Sequence, residues 1–556
     1  MKRGLLFTIS IFLLAGCASA PTRSADAPFD LLITNGFVID GTGSPWFRAD
    51  VAIRADRIAA VGRLTRARAR DTIDATGLVV SPGWIDMLGH SEYSILRDGR
   101  ALSKITQGIT SEITGEVTSV VPVNERTLKE VSFARTNTVD WQDLNGYFAR
   151  FERSGSAINL GTFVTVGSVR RYVMGDANRP PTPAELDAMK QLVAQAMQQG
   201  ALGLSTGLIY APASYANTDE IAELAKVAAA YGGGYASHMR SEGARLIEAI
   251  EEAVEIGRRA GGWVQIHHLK ASGKANWGKM PQAVATIEAA RARGIDVTAD
   301  QYPYAASGTG LDAIIPTWAH AGGTDSLVAR LQNPGVRDSL RREIMGPDQR
   351  VELIGESAGG PTGVLLAGFR ADSLRKYMGM TLAAAAEQRG QAAIDALFDL
   401  LVADSAAVSA IYFSMSEPDI EHAMKQPWTS VGIDAGARDT LVTEAHPRAF
   451  GSFPRILCRY VRERNVITLT DAIRKFSALP AARMGLADRG VIKAGMFADI
   501  TIFDAERVCD RATFERPAQT AVGIHHVLVN GVPVVRNGKV TGAKPGRPLR
   551  HPRSSF

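Results

Sequence analysis

Tyr235-Ala236-Ser237-His238 and Val264-Gln265-Ile266-His267-His268 are two short strand-like runs, each ending in histidine and each preceded by glycines, Gly232 to Gly234 and Gly261-Gly262. Between them, Arg245 to Arg259 carries Ile247, Ile250, Val254 and Ile256 near helical spacing. The stretch therefore reads as strand, helix, strand, the unit from which parallel sheets are built. Successive parallel strands bring His238 and His268 to one end of a sheet or barrel, the end at which such folds gather catalytic groups. Two imidazoles converging there point to a metal.

The same alternation continues on both sides. Strand candidates fall at 83–87, 109–114, 160–166, 202–206, 235–238, 263–268, 296–299 and 430–434, and helices are clearest at 183–199, 219–230, 245–259 and 280–292. About eight strands with crossover helices predict an α/β fold, a distorted (β/α)8 TIM-like barrel over 81–487, longer than the usual ~250 residues. The excess predicts an insertion within about 305–425. An open doubly wound sheet is the alternative, weakened because no glycine-rich dinucleotide loop follows any strand. Residues 29–80 and 488–540 have a different texture, short β-prone runs broken at Asn35-Gly36, Ala55-Asp56 and Asn530-Gly531. Asn-Gly between such runs signals a hairpin, and the two ends together predict a small β-sandwich domain.

The composition, 46% hydrophobic and 21% charged over 556 residues, is that of a globular chain with material for a large core and more than one ordinary domain. Its start is separate. Lys2-Arg3 precede an apolar run, Leu5 to Leu14, that is too short to span a bilayer comfortably, and Leu14-Ala15-Gly16-Cys17 follows. That run looks like a bacterial lipobox, so residues 1–17 are expected to be a lipoprotein signal peptide with Cys17 lipidated, and 18–28 a tether. The expected location is the bacterial cell envelope, facing the periplasm, with membrane contact only through the lipid anchor. Loss of Lys2 and Arg3 lowers the formal charge from +5 to +3. Residues 541–556 form a basic tail, read as solvated, and no basic stripe or nucleic-acid motif appears. Cys458 and Cys509 make neither a disulfide framework nor a CxxC metal site.

Several residues could carry chemistry. In Pro82-Gly83-Trp84-Ile85-Asp86-Met87-Leu88-Gly89-His90-Ser91-Glu92, Asp86, Leu88, His90 and Glu92 alternate along one face if the strand continues. His90 is a candidate ligand, whereas Leu88 has no donor atom. Glu116, a second candidate ligand, follows the β-branched Ile113-Thr114 and Gly115. In the His267-His268 strand, His268 and Lys270 share a face, so His268 is the expected ligand and His267 either a packing residue or a support behind the ligands. Ser430-Val431-Gly432-Ile433-Asp434-Ala435-Gly436 ends an apolar strand in an acid placed to deprotonate an activated water and pass the proton to a leaving amine. Each residue alone is ambiguous, but the order His, Glu, His, His, Asp along successive strands is much less so, and it suits zinc.

With these stretches the chain resembles the amidohydrolase superfamily, specifically the N-acyl-D-amino-acid deacylase (D-aminoacylase) group. The resemblance rests on Gly200-Ala201-Leu202-Gly203-Leu204-Ser205-Thr206-Gly207-Leu208 with Tyr210-Ala211-Pro212, Ser237-His238-Met239-Arg240, His268-Leu269-Lys270, and Ala299-Asp300-Gln301-Tyr302-Pro303-Tyr304. His446-Pro447-Arg448, Gly451-Ser452-Phe453-Pro454-Arg455 and Asp488-Arg489-Gly490 extend it. It implies metal-dependent hydrolysis of a C–N amide bond beside a free carboxylate, in an N-acyl-D-amino acid or a D-residue-containing dipeptide. Metal-activated water would attack, with Asp434 as general base and acid. It implies metal ligation by His238 and His268, and it places a family cysteine at or beside Glu116, where this chain has none. The family's first-strand His-x-His survives only as His90. One tightly bound zinc is expected, and a second stays open. Lys270, Tyr302 and Arg448 match positions that hold the substrate carboxylate. The partner is then a small-molecule or short-peptide substrate with a free carboxylate, and no nucleic acid. A dipeptidase, a cyclic amidase, or a non-catalytic envelope peptide-binding protein, which Leu88 would favour, are the alternatives.

Overall fold

The computed structural model describes residues 28–129, 131–346, 358–440 and 446–552. The expected signal peptide, Cys17 and nearly all of the tether lie outside the described residues.

Eight parallel strand positions form the barrel. Trp84–Asp86, Ile109–Thr114 and Asn159–Thr162 pair side by side, and Leu204–Gly207, Tyr235–His238, Val264–Ile266, Val297–Gln301 and Thr429–Val431 make the second run. The runs join where the amide of Leu202 donates to the carbonyl of Thr162 (2.9 Å) and Val164 pairs with Leu204. They close where the amide of Met87 donates to Val431 and that of Asp434 to Leu88 (2.7 Å). The break into two hydrogen-bonded runs is the distortion in the barrel. Strand registers set Gly207 opposite His238 and Ser237 opposite Ile266, so the carboxyl ends share one rim.

The helices form where the apolar spacing predicts. Leu246–Ala260 buries Leu246, Ile250, Ala253, Val254 and Ile256 and stops at Gly261, whose φ of 71° is left-handed. Pro183–Gln198 begins with a full capping box between Thr182 and Glu185, and Thr218–Ala230 is capped by Asn217.

Both chain ends build one nine-stranded sheet, in which Val79–Pro82 pairs antiparallel with Ile500–Phe503. The Asn-Gly pairs at 35–36 and 530–531 behave differently. Asn530 (φ 48°) and Gly531 (φ 80°) make the two-residue turn between Ile524–Val529 and Val532–Arg536, as primed turns require. Asn35-Gly36 makes no hairpin. The strand Phe29–Val38 runs through it with a bulge between Ile33 and Gly36. Its early half pairs with Ala69–Asp74 and its late half with Val79–Pro82, on the same side. The bend lets the sheet close over a core of Ile33, Val51, Ile73, Val80, Ile500 and Leu528.

Between the seventh and eighth barrel strands the chain makes a separate body. Strands Ser307–Gly310, Val364–Gly368 and Ser409–Tyr412, the last in the middle, pack with helices on a core that includes Leu311, Leu327, Leu366, Phe398 and Leu401. Its edge strand reaches the barrel mouth, where the Thr309 hydroxyl lies 2.8 Å from that of Tyr210 and the Gly308 carbonyl accepts from Arg448 (3.0 Å).

Two readings change here. The tail is not free in solvent through its described part. Leu549 donates to Leu160, Arg547 pairs with Asp56, and Arg550 donates to Asn145. Arg547 and Arg550 are thus bonded to the fold. Cys458 and Cys509, distant in sequence, are joined in a disulfide with Cα atoms 4.9 Å apart. Among the described residues no helix is long and apolar enough to cross a membrane.

The helix–strand seam makes a stability prediction. A Cβ on Gly257 would lie 2.0 Å from Cγ2 of the buried Val264. Gly257→Ala is expected to destabilise by ~1–2 kcal/mol net, overpacking exceeding alanine's helical advantage of ~1 kcal/mol. Urea unfolding measures it, and an unchanged midpoint would contradict the packing.

Candidate metal centre at the barrel mouth

Glu116 lies two residues beyond the second barrel strand. Gly115 takes φ 89°, and a Cβ there would sit 2.7 Å from the Phe163 carbonyl, so only glycine permits this turn into the mouth. The carboxylate is buried and meets three imidazoles. Glu116 Oε1 is 2.9 Å from His238 Nδ1 and 2.7 Å from His268 Nε2, and Oε2 is 3.2 Å from His90 Nε2. His238 Nδ1 and His268 Nε2 are themselves 2.9 Å apart.

Three lone-pair atoms facing one point cannot all be satisfied by the available protons. His268 Nε2 touches both a carboxylate oxygen and another ring nitrogen, and a single proton serves only one of them. A cation resolves all three contacts. Glu116, His238 and His268 could hold one, and two imidazoles with a carboxylate suit zinc. His90, Glu116 and Asp434 form a second group sharing Glu116. Its members bond one another directly, His90 Nε2 lying 2.9 Å from Asp434 Oδ1. Leu88, buried in the first strand's extension, adds no donor.

Two site residues have left-handed backbones uncommon outside glycine, His268 at φ 34° and Asp434 at φ 52°. Such conformations cost on the order of 1–3 kcal/mol each and persist where the surroundings over-determine them. At His268 the determinant is Asp300, whose Oδ1 accepts the His268 amide (2.9 Å) while Oδ2 lies 3.0 Å from His267 Nδ1. The regular strand ends at Ile266, so alternation does not aim these side chains. His267 is fully buried on Asp300, and the left-handed turn sends His268 into the mouth.

Lys270, Tyr302 and Arg448 are brought together. The Tyr302 ring lies 5.8 Å from Lys270 Nζ and 4.8 Å from Arg448 Cζ, and its buried hydroxyl has no hydrogen-bond partner. Both cations meet carboxylates. Arg448 Nη1 is 2.7 Å from Asp434 Oδ2, and Lys270 Nζ donates to Glu242 Oε1 at 2.5 Å. Glu242 Oε1 is also 2.8 Å from His268 Nδ1, the ring nitrogen facing away from the metal pocket. Lys270 Nζ lies 2.7 Å from the same nitrogen; with Lys270 spent on Glu242, a proton on Nδ1 shared with that carboxylate leaves the Nε2 lone pair facing inward.

Glu242 and Asp300 are the site residues that reading the sequence missed. Glu242 stands four residues after His238, and Asp300 is next to last in the seventh strand, close to the end that carries function in barrels. Arg240, two residues after His238, turns away and binds Glu252 and the carbonyls of Ser214 and Ala216.

Charge sets the ionisation. Burial raises the Glu116 and Asp434 carboxyls, but it is outweighed at Glu116 by the His268 charge and bonds to His238 and His268, and at Asp434 by Arg448 and His90. Both stay below the ordinary carboxylate range. Burial and the Lys270 charge lower His268, yet Glu242 and Glu116 overcome them and push it up to about 10.

The Amidohydrolase family profile matches residues 71–535. The chain belongs to the amidohydrolase family. This amidohydrolase is 36% identical over 546 residues to a D-aminoacylase of Alcaligenes xylosoxydans xylosoxydans, covering 95% of this chain and 99% of the relative. It is also 36% identical to an N-acyl-D-glutamate deacylase of the same organism, over 94% of this chain and 96% of the other. Among solved structures, an N-acyl-D-glutamate deacylase from Bordetella bronchiseptica, complexed with zinc and a phosphonate inhibitor that mimics the tetrahedral intermediate, superposes with a TM-score of 0.80 at 33% identity. That match covers 94% of this chain and all of that one.

Metal entry must displace the His268 proton, since only a neutral imidazole binds a metal. With its pKa raised to about 10, metal affinity is expected to rise about tenfold per pH unit below that value, with proton release. Calorimetry in buffers of different ionisation enthalpy checks this. Affinity flat between about pH 6 and 8 would overturn the assignment of His268.

Proposed function

We propose that this amidohydrolase cleaves the amide bond of N-acyl-D-amino acids, with zinc held by Glu116, His238 and His268. The observation that carries the reading is the meeting, in one buried mouth, of three metal-competent atoms, the Asp434 carboxylate, and two cations flanking Tyr302. The relatives' names support the substrate class. They act on N-acyl-D-amino acids, including N-acyl-D-glutamate and N-acyl-D-aspartate.

When bound, zinc supplies a Lewis acid for the scissile carbonyl and lowers the pKa of a coordinated water. The chain supplies the rest. Asp434, kept ionised beside Arg448, takes the proton of the attacking water and returns it to the nitrogen of the leaving amine. Arg448 can grip the substrate carboxylate bidentately and Lys270 adds a compact charge. The unpartnered Tyr302 hydroxyl has a donor to offer the same group. The Ser307–Gly310 strand and Tyr210 roof the mouth, which limits water and strengthens these charge interactions. We read the site as holding one ion tightly, because Leu88 offers no donor and His90 is already bonded to both Asp434 and Glu116.

Asp434→Asn is expected to keep one zinc per chain and lose about 10²–10⁴-fold in kcat. The assay is a panel of N-acyl-D-amino acids, matched L-isomers and D-containing dipeptides, with and without added zinc. Equal turnover of the L-series, or full activity in Asp434→Asn, would sink the proposal.

We further propose that the protein works in the bacterial envelope, anchored through lipidated Cys17 and facing the periplasm. The lipobox-like Leu14-Ala15-Gly16-Cys17 supports it, as does the Cys458–Cys509 disulfide, a bond that persists in oxidising compartments. Cys17→Ser is expected to move the protein from the membrane to the soluble fraction on cell fractionation; unchanged membrane association would count against the anchor.

A further inference from the structure

Lys104 is a buried charge that the chemistry above does not use. It lies in the short helix Leu102–Ile105 with no exposed surface. Its Nζ donates to Asp86 Oδ2 (2.7 Å) and to the Ala435 carbonyl (2.7 Å), and it lies 3.2 Å from Glu112 Oε1. Both acids are fully buried as well.

The three charges do not end on one another. Asp86 Oδ1 accepts the amides of Ile433 (2.9 Å) and Leu88 (3.2 Å), and Glu112 Oε1 accepts the amide of Ser91 (3.1 Å). The network therefore grips backbone on both sides of the seam where the eighth strand meets the first. Ile433 and Ala435 are the neighbours of Asp434, one held by its amide and the other by its carbonyl. Asp434 itself donates to the Leu88 carbonyl (2.7 Å) in its left-handed conformation. His90 is bracketed in the same way, between Leu88, held by Asp86, and Ser91, held by Glu112.

Fold closure alone does not call for this arrangement. Buried ion clusters generally add little stability over apolar side chains of the same volume. What the charges supply is direction, four hydrogen bonds to backbone groups adjoining Asp434 and His90.

We propose that Lys104, acting through Asp86 and Glu112, is a positioning residue that holds Asp434 in its strained conformation at the reaction centre. It touches neither substrate nor metal. The proposal rests on the hydrolytic reading given above.

The test replaces the network with neutral groups of similar size, Lys104→Met, Asp86→Asn and Glu112→Gln together, so that no uncompensated charge is left buried. The three candidate metal ligands touch none of these residues in the contacts described, so zinc content should stay at one per chain. KM should stay within about threefold while kcat falls about 100-fold, the effect of displacing a reacting group by about 1 Å. A merely structural role would lower the melting temperature and leave kcat of the folded fraction intact; that result overturns the proposal. Should the triple variant not fold, Asp86→Asn alone, which keeps Lys104 paired with Glu112 and weakens the hold on Ile433 and Leu88, carries the same expectation; if neither folds, the positioning role is rejected in favour of a folding one. If the wild type hydrolyses no member of the panel, the hydrolytic reading fails by itself. Placement is then read from crystal structures of the zinc-loaded wild type and variant. Asp434 should leave φ 52° and its 2.7 Å contact with Arg448 in the variant, and an unmoved Asp434 overturns the proposal.

Discussion

A single buried carboxylate, Glu116, faces His90, His238 and His268, and the rest of the mouth is arranged around it. A carboxylate removed from water must be paired or bind a cation, because the loss of solvation is otherwise several kcal/mol or more. Glu116 meets that requirement with groups from four parts of the chain, its own turn after the second strand and the ends of the first, fifth and sixth. Each is delivered by a different device. Gly115 turns Glu116, the strand end itself presents His238, and Asp300 holds His268 in a left-handed turn. The resemblance places a cysteine at or beside this position in relatives. A thiolate and a carboxylate carry the same single negative charge, so glutamate preserves the electrostatic demand while changing donor softness and reach.

The second constraint is closure of the barrel. The eighth strand must approach the first closely enough for Asp434 to meet His90, and small residues permit it. A Cβ on Gly432 would lie 2.6 Å from that of Leu88, and one on Gly436 would lie 2.7 Å from the His90 carbonyl. Leu88 thus fills the space beneath this contact. The residue that removes a metal donor from the first strand also packs the seam that positions the acid.

The sequence revealed the repeating parts more readily than the contacts between them. Helices such as 245–259 were legible because their apolar faces repeat at helical spacing, and the eight strands because apolar runs alternate with those helices. His238, His268, Glu116 and Asp434 were legible as polar groups at strand ends. What a linear reading could not supply was any feature set by long-range contact. Asn35-Gly36 and Asn530-Gly531 are the same dipeptide. One becomes a bulge because flanking strands pair on both sides of it, and the other a hairpin turn because its own strands pair with each other. Cys458 and Cys509 meet only through the packing of the Ile456–Glu463 helix against the C-terminal domain. Glu242 and Lys104 were hidden for a related reason. Charged residues are usually solvated, and nothing local marks the ones that fold inward.

Charge balance links these contacts to the substrate. Glu116, Asp434 and Glu242 bring three negative charges to the mouth, and Lys270 and Arg448 bring two positive ones, each already paired with a carboxylate. With His268 protonated these groups balance before the ion arrives, and a divalent ion that displaces that proton leaves an excess of one positive charge. A single substrate carboxylate neutralises that excess, whereas an amide lacking one leaves it in a low-dielectric cavity, where uncompensated charge is most costly. The same count argues that metal and substrate are favoured in sequence. Before the ion arrives, Asp434 and Glu242 hold the two cations, and an incoming carboxylate would have to compete for them. Afterwards the field at Tyr302 is positive, and the carboxylate can share Arg448 and Lys270 without displacing either acid. Under the proposed function, a preference for substrates with a free carboxylate would follow from the electrostatics of the whole mouth, not from any one basic side chain.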